Sequence, residues 1–168
     1  EVLAQRQGLL YDSNKNWSYF YNSSTSLVTH VSSFNAPTNA TNALFVIWVN
    51  CADLWFPATY AGATLSTWTN AINQSQTNHY KAATNLYFAK GARTLIMPNA
   101  VDISTIPEFN GSANASFIHR MCTNYNLAFS NTLNRIRATC TNLTLYTPDF
   151  FALLTNILAY PANYGVTN

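Results

Sequence analysis

The stretch that decides the fold is LFVIWV at residues 44–49, which is followed directly by Asn-Cys-Ala-Asp at residues 50–53. The run is continuously apolar and contains β-branched residues. An apolar run of this length without alternation is typical of a strand that is buried on both faces, as in a parallel sheet. The sequence therefore predicts a buried parallel strand at residues 44–49.

Two further apolar runs resemble the first. They are TLIM at residues 94–97, which ends at Pro98, and LTLY at residues 143–146, which ends before Pro148. The three runs begin about 50 residues apart, so each connection has room for a crossover helix. Strands that alternate with helices in this way predict an α/β fold with a parallel sheet.

Three helices are predicted in the connections. The first covers residues 66–90, with Ser66 as a candidate cap and Gly91 at its end. The third covers residues 150–160, between Asp149 as a candidate cap and Pro161. Residues 1–10 also have a helical pattern, whereas residues 14–42 are expected to be irregular. The second helix, at residues 114–139, carries an apolar stripe at spacings of three and four: Ile118, Cys122, Tyr125, Phe129, Leu133, Ile136 and Cys140.

The composition narrows the classes of function. Only 8% of the residues are charged, the net charge is +2, and lysine and arginine do not cluster, which argues against nucleic-acid binding. No apolar run is long enough to span a bilayer. The chain does not open with the basic region and apolar stretch of a signal peptide, and it begins at Glu1 rather than Met, so we expect a mature form or a part of a longer protein. Asparagine and threonine supply most of the polar residues, and this uncharged composition favours a secreted or cell-surface protein. No sequence motif indicates a cofactor or a metal site.

Polar residues follow each predicted strand, at the edge where the crevice of open α/β sheets lies. Asp53 is the favoured functional residue. Asp149 is better explained as a helix cap, and Asp102 fits a turn and a pocket equally well. The expected strand-end pocket consists of Cys51, Asn99, Asp102 and Asp149.

Other side chains carry weaker hypotheses. Cys51 could act as a nucleophile, although a buried and inert thiol is the better interpretation. His79 and His119 fall within predicted helices, which favours packed or surface roles, and His30 falls in the region expected to be irregular. Aromatic side chains, including Trp55, Phe56, Tyr60 and Trp68, could stack on sugars, although core packing is favoured for most of them.

Four segments in order resemble the GDSL, or SGNH, esterase/lipase family. Residues 43–53 (ALFVIWVNCAD) are similar to its strand block around LYVIWGGAND, and residues 95–107 (LIMPNAVDISTIP) resemble its next strand and loop. Residues 129–133 (FSNTL) and residues 146–168, ending in PANYGVTN, resemble its later helix and its YGftN stretch. Residues 3–9 are similar to the helix after its first strand.

The resemblance implies a three-layer α/β/α, flavodoxin-like fold that hydrolyses acyl esters. In that family a serine in a Gly-Asp-Ser-Leu block attacks the carbonyl, a glycine and an asparagine help to form the oxyanion hole, and an Asp-x-x-His pair supplies the base. In the ungapped register the oxyanion asparagine falls on Ala52 and only Asp53 matches, whereas a one-residue shift would make Asn50 the donor. The oxyanion-region candidates are therefore Asn50, Ala52 and Asp53.

The sequence contains neither a Gly-Asp-Ser-Leu block nor an Asp-x-x-His block. Three strands are also few for an open α/β sheet. We therefore expect residues 1–168 to form a single, incomplete domain that lacks its first strand, beside residues 44–49, and is inactive alone. A second chain or a further segment would complete the sheet. The alternatives are a non-catalytic surface or assembly protein that uses the exposed strand edge, as a homo-oligomer or in contact with carbohydrate, and a hydrolase based on Cys51.

Overall fold

The computed structural model describes residues 22–166, together with Arg6, Gly8 and Asn16. The helix predicted at residues 1–10 and the similarity at residues 3–9 therefore lie outside the continuously described chain. Five α-helices and three strands follow one another along it. In chain order they are α1 (Ser24–Ser33), β1 (Leu44–Val46), α2 (Asn50–Thr59), α3 (Leu65–Phe88), β2 (Thr94–Ile96), α4 (Ala115–Thr139), β3 (Thr144–Tyr146) and α5 (Phe150–Ala159).

The three strands form one parallel sheet in the order β1-β2-β3. Its register brings Phe45, Leu95 and Leu145 into one row across the sheet. This row belongs to the hydrophobic core or packs against it. The right-handed crossovers expected of parallel units place α3 and α4 on the same face of such a sheet. The chain is thus a mixed α/β protein with a parallel three-stranded sheet, as predicted.

The strands are shorter than predicted, and the expectation that they are buried on both faces is wrong. Leu44 is 51% exposed, Val46 is 61% exposed and Tyr146 is 55% exposed. Because side chains alternate along a strand, these three share the face opposite Phe45, Leu95 and Leu145. The sheet is therefore covered by helices on one face and exposes apolar side chains on the other.

The long helices match the predictions closely. The whole predicted stripe of the second helix is buried in α4 and at its end. In α3 the cap is Thr64 rather than Ser66, because the Thr64 hydroxyl accepts a hydrogen bond from the Thr67 backbone N–H while Thr67 Oγ1 accepts one from Thr64 N–H. The helix ends at Phe88, and Gly91 then turns the chain with a left-handed φ of 78°.

Two helices were not predicted. Helix α1 lies within the region expected to be irregular, and it contains His30. Helix α2 begins at Asn50, so residues 50–53 form a first helical turn rather than a loop. Both helices pack against α3. This tertiary packing supplies the stability that their serine, threonine and proline residues do not supply locally.

Candidate functional site

The carboxyl ends of the three strands meet at one edge of the sheet, as they must in a parallel arrangement. Helix α2 follows β1, the loop 97–114 follows β2, and α5 follows β3. The candidate residues predicted from the sequence are all found on these three segments. Their hydrogen bonds show what each of them does in the folded chain.

Asn50 is completely buried, and its side-chain amide donates a 2.9 Å hydrogen bond to the backbone carbonyl of Pro98. This bond joins the start of α2 to the end of β2. Ala52 offers a backbone N–H, which donates to the Val49 carbonyl at 3.1 Å. An oxyanion role for Ala52 would require that this bond be given up, and one for Asn50 would require that its buried side chain become accessible.

Asp53 links three helices. Its Oδ1 accepts a hydrogen bond from the Ser24 backbone N–H at 3.0 Å, and its Oδ2 accepts one from the Ser75 hydroxyl at 2.5 Å. The Ser75 hydroxyl is also 2.7 Å from the Tyr125 hydroxyl and 3.3 Å from Nδ1 of His79. Asp53 is thus part of a polar cluster between α1, α2, α3 and α4.

This cluster has the residue types of a catalytic triad but not its geometry. Ser75 is 1% exposed, so a substrate cannot reach its hydroxyl. Ser75 also lies between the carboxylate and the imidazole, whereas in a triad the imidazole lies between the other two groups. Burial lowers the pKa of His79 and raises the pKa of Tyr125 well above its usual value. The cluster therefore joins the helices of the core.

Cys51 lies on the first turn of α2, where its Sγ is 3.8 Å from the Asn50 side-chain oxygen. Burial raises the pKa of this thiol, which keeps it protonated and weakens it as a nucleophile. The three cysteines, Cys51, Cys122 and Cys140, are all free thiols. These surroundings favour the interpretation of Cys51 as a buried thiol of low reactivity.

Asn99 and Asp149 together begin α5. Asp149 Oδ1 accepts a hydrogen bond from the Ala152 backbone N–H, which confirms the predicted cap, and it accepts another from the Asn99 side-chain amide at 2.8 Å. The side-chain oxygen of Asn99 in turn accepts the backbone N–H groups of Phe150 and Phe151 at 2.7 and 3.0 Å. These two residues thus satisfy the open N–H groups of the first helical turn.

Asp102 is paired with His119, a contact that the sequence pattern did not predict. Its Oδ2 lies 2.5 Å from Nδ1 of His119, on the second turn of α4. Its Oδ1 accepts hydrogen bonds from the backbone N–H and the hydroxyl of Ser104, and Asp102 thereby caps a short 3-10 helix at Ile103–Thr105. The turn interpretation of Asp102 is therefore confirmed, and its assignment to a pocket stays a prediction.

A groove in the described part of the chain lies away from these strand-end residues. It has a volume of about 430 Å³, is open to solvent and runs between α1 and α3. None of the predicted site residues lines it. Its lining consists of Val28, Lys81, Ala82, Thr84, Asn85 and Phe88.

The fold and the edge residues define a mixed α/β protein with a parallel three-stranded sheet. The chain matches no protein-family model and no curated protein. In the part of the chain that the structure describes, no group of three or more His, Cys, Asp or Glu side chains could hold a metal ion. None of the helices described here has the length and apolar character needed to cross a bilayer.

Proposed function

We propose that the chain is the central part of an acyl-ester hydrolase of the GDSL class and that it has no activity by itself. The observation that carries this proposal is the edge position of β1, which pairs with β2 and, among the described residues, with no other strand. Strand β3 forms the other edge of the described sheet. The resemblance at residues 43–53 adds support, because it places a serine-bearing strand of the family beside this same edge.

The hydrogen bonds of β1 show which of its groups are open to a new strand. The Ile47 backbone N–H donates to the Ile96 carbonyl, and Phe45 is in register with Leu95. Because successive residues of a strand bond to opposite sides, the backbone groups of Val46 point away from β2. A further parallel strand would pair with these groups.

The outer face of the sheet supports the same proposal. Parallel sheets are normally covered on both faces, and here the half-exposed side chains of Leu44, Val46 and Tyr146 lie on the open one. A segment that supplies both a strand and a helix would cover the open edge and the open face together. The finer fold that we propose is therefore the three-layer α/β/α arrangement.

The chain is proposed to be secreted or displayed at the cell surface, which its low charge and its asparagine- and threonine-rich composition favour. Its completing segment is either a further part of the same polypeptide or a second chain. The assembly that contains this segment is called the completed protein below.

One specific observation favours a second, non-catalytic candidate. Phe56 and Tyr60 on α2 are 64% and 54% exposed, and their rings stack with centroids 5.7 Å apart and planes 9° from parallel. An exposed aromatic surface of this kind can bind the apolar face of a sugar. In this alternative the open edge of β1 would serve self-assembly, and ester hydrolysis would be absent from every form of the protein.

The test compares ester hydrolysis by the 168-residue chain and by the completed protein isolated from its source, with p-nitrophenyl butyrate as substrate. We expect turnover only in the completed protein. Val46→Pro should abolish it, because proline removes the N–H that faces the open edge while leaving the bonds between β1 and β2 intact. Val46→Thr keeps this N–H and is the matched control.

Circular dichroism should show that both variants of the chain remain folded. Turnover by the 168-residue chain itself, after repurification and with a serine-directed inhibitor as control, would contradict the proposal. A completed protein that lacks ester hydrolysis would also contradict the proposal. The second candidate would then be preferred, with a carbohydrate-binding assay of Phe56→Ala as its own test.

A further inference from the structure

Two buried side chains of α3 carry polar atoms that the rest of the described chain does not bond. Within residues 22–166, Oε1 and Nε2 of Gln76 and Nε2 of His79 are shielded from solvent and have no hydrogen-bond partner. Gln76 is 9% exposed and His79 is 1% exposed. Residues three apart in sequence are neighbours on one face of a helix. Because buried polar atoms in folded proteins are bonded to a protein group or to an ordered water, these atoms indicate a polar site inside the fold.

The site faces α4. The His79 ring packs edge-on against the ring of Phe129, with centroids 5.3 Å apart. One turn before Phe129 lies Tyr125. Burial raises the pKa of Tyr125, and the nearby Gln76 amide has a weaker opposite effect, although the two groups are not placed for a direct hydrogen bond. Gln76 and His79 therefore face the same buried stripe of α4.

The neighbouring hydrogen bonds determine which kind of group is needed at Nε2 of His79. The Ser75 hydroxyl donates to the Asp53 carboxylate, so the Tyr125 hydroxyl donates to the Ser75 oxygen and keeps a free lone pair. Nδ1 of His79 lies 2.8 Å from the Ser75 carbonyl oxygen, which can only accept, so Nδ1 carries the proton. In the neutral ring Nε2 is then an acceptor, and its partner must be a donor.

We propose that ordered internal water lies between α3 and α4, with one molecule that donates a hydrogen bond to Nε2 of His79 and is also bonded to the Gln76 side-chain amide. A neutral donor fits better than an ammonium group, because a buried charge without a counter-charge is costly. Buried waters make about three hydrogen bonds to groups that otherwise lack partners. The free lone pair of the Tyr125 oxygen can accept the second proton of this water, and the second polar atom of the Gln76 amide can bond a further water.

The water site extends the polar cluster of Asp53, Ser75 and Tyr125 along the interface between α3 and α4. It is independent of the proposed ester hydrolysis, because its side chains are buried within the 168-residue chain and need no completing segment. Its role is to join the two long helices through polar groups that their side chains cannot pair directly.

The first arm of the test is a high-resolution crystal structure of the 168-residue chain. We expect solvent density within hydrogen-bond distance, about 2.7–3.2 Å, of both Nε2 of His79 and one polar atom of the Gln76 amide. A direct hydrogen bond between Gln76 and His79 would overturn the proposal. A side chain of another segment at Nε2, or contacts that leave no room for water, would overturn it as well.

The second arm measures urea unfolding of Gln76→Met, which keeps a side chain of similar length and removes the amide. If water is bound, the variant removes hydrogen bonds of the site, so the urea midpoint should fall. If the site is dry, the variant removes two unpaired polar atoms and the midpoint should rise. Asn73→Met, at an exposed position of the same helix, is the matched control and should change the midpoint little. A midpoint of Gln76→Met that rises or stays unchanged overturns the proposal.

A double-mutant cycle tests whether one water joins the two side chains. His79→Phe removes Nε2 and keeps an aromatic ring against Phe129. With a shared water, Gln76→Met should cost less unfolding free energy in the His79→Phe background than in the unmodified chain, because the water has already lost one partner. Equal costs in the two backgrounds would overturn the shared water.

Discussion

At the scale of the residue, the histidines of α3 and α4 have opposite surroundings. His119 is open to solvent and paired with a carboxylate. His79 is 1% exposed, its Nδ1 lies 2.8 Å from the Ser75 carbonyl oxygen, and among residues 22–166 its Nε2 has no hydrogen-bond partner. Because the ring of His79 is buried, the stability of the fold depends on its neutral imidazole.

The buried state of His79 predicts a loss of stability in mild acid. Burial lowers the pKa of His79 in the folded chain below the value of about 6.5 that applies when the chain is unfolded. As the pH falls below that value, the unfolded chain binds a proton that the folded chain does not bind, so the free energy of unfolding decreases. Urea unfolding between pH 7.5 and pH 5 measures this effect.

His79→Gln should reduce the pH dependence of the unfolding free energy in this range, whereas His30→Gln should retain it. An equally steep decrease in the His79 variant would show that another group is responsible. The pKa shift of His79 would then not be the cause of the acid sensitivity.

Ser75 provides a second prediction at this scale. Replacing it with alanine removes the hydroxyl that Asp53 and Tyr125 share, and leaves partly buried polar groups without that partner. We expect Ser75→Ala to lower the free energy of unfolding by about 1–3 kcal/mol. Ser66→Ala makes the same change at an exposed position of the same helix and should alter it by less than about 0.5 kcal/mol. Equal values for the two variants would contradict a structural role for the cluster.

Some of these residue roles could be predicted and others could not. Asp149 was predicted as a cap because capping depends on local sequence. The pairing of Asp102 with His119 joins a turn to a helix 17 residues further on, and neither local pattern shows it. Asn50 and Asp53 were placed correctly after β1, but their hydrogen-bond partners come from distant segments of the chain.

At the scale of the element, periodicity predicted the long helices and tertiary contacts decided the short ones. The apolar stripe of α4 defines its buried face directly. Helix α1 has the sequence STSLVTHVSS, whose serine, threonine and valine residues are weak helix formers. Helix α2 contains Pro57, a residue that lowers helix propensity within a helix. Their packing against α3 could not be read from local pattern.

The cap of α3 can be tested by one substitution. Thr64→Ala removes the hydroxyl that accepts the Thr67 backbone N–H, and with it half of a reciprocal pair of hydrogen bonds. We expect the free energy of unfolding to fall by about 1 kcal/mol, measured by urea denaturation. Ser66→Ala, at the cap position expected from the sequence, is the control. A larger loss in Ser66→Ala than in Thr64→Ala would contradict the assignment of the cap.

At the scale of the whole molecule, the described sheet has two edge strands, β1 and β3, and leaves one face open. We predict that the isolated 168-residue chain associates with itself, because Leu44, Val46 and Tyr146 expose apolar surface on that face. Light scattering should show a mass that rises with concentration. Leu44→Lys should weaken this association, and Leu127→Lys, at a residue of α4 that is 67% exposed, should not.

A monodisperse monomer at high concentration would contradict this prediction. The three apolar runs predicted the three strands, and β1 is an edge strand of the described sheet; the strand expected beside it stays a prediction. The sequence did not indicate the open face, because a continuous apolar run has the same pattern whether or not a helix layer covers both sides of the strand. The missing cover depends on contacts between elements, which periodicity does not encode.

The measurement that tests the central claim most directly is fluorophosphonate labelling of the completed protein isolated from its source, followed by mass spectrometry of its peptides. If the chain is the central part of a serine hydrolase, one serine becomes labelled and it lies outside residues 1–168. The 168-residue chain alone should remain unlabelled. A label on a serine within residues 1–168, or a completed protein with no label, would contradict the account.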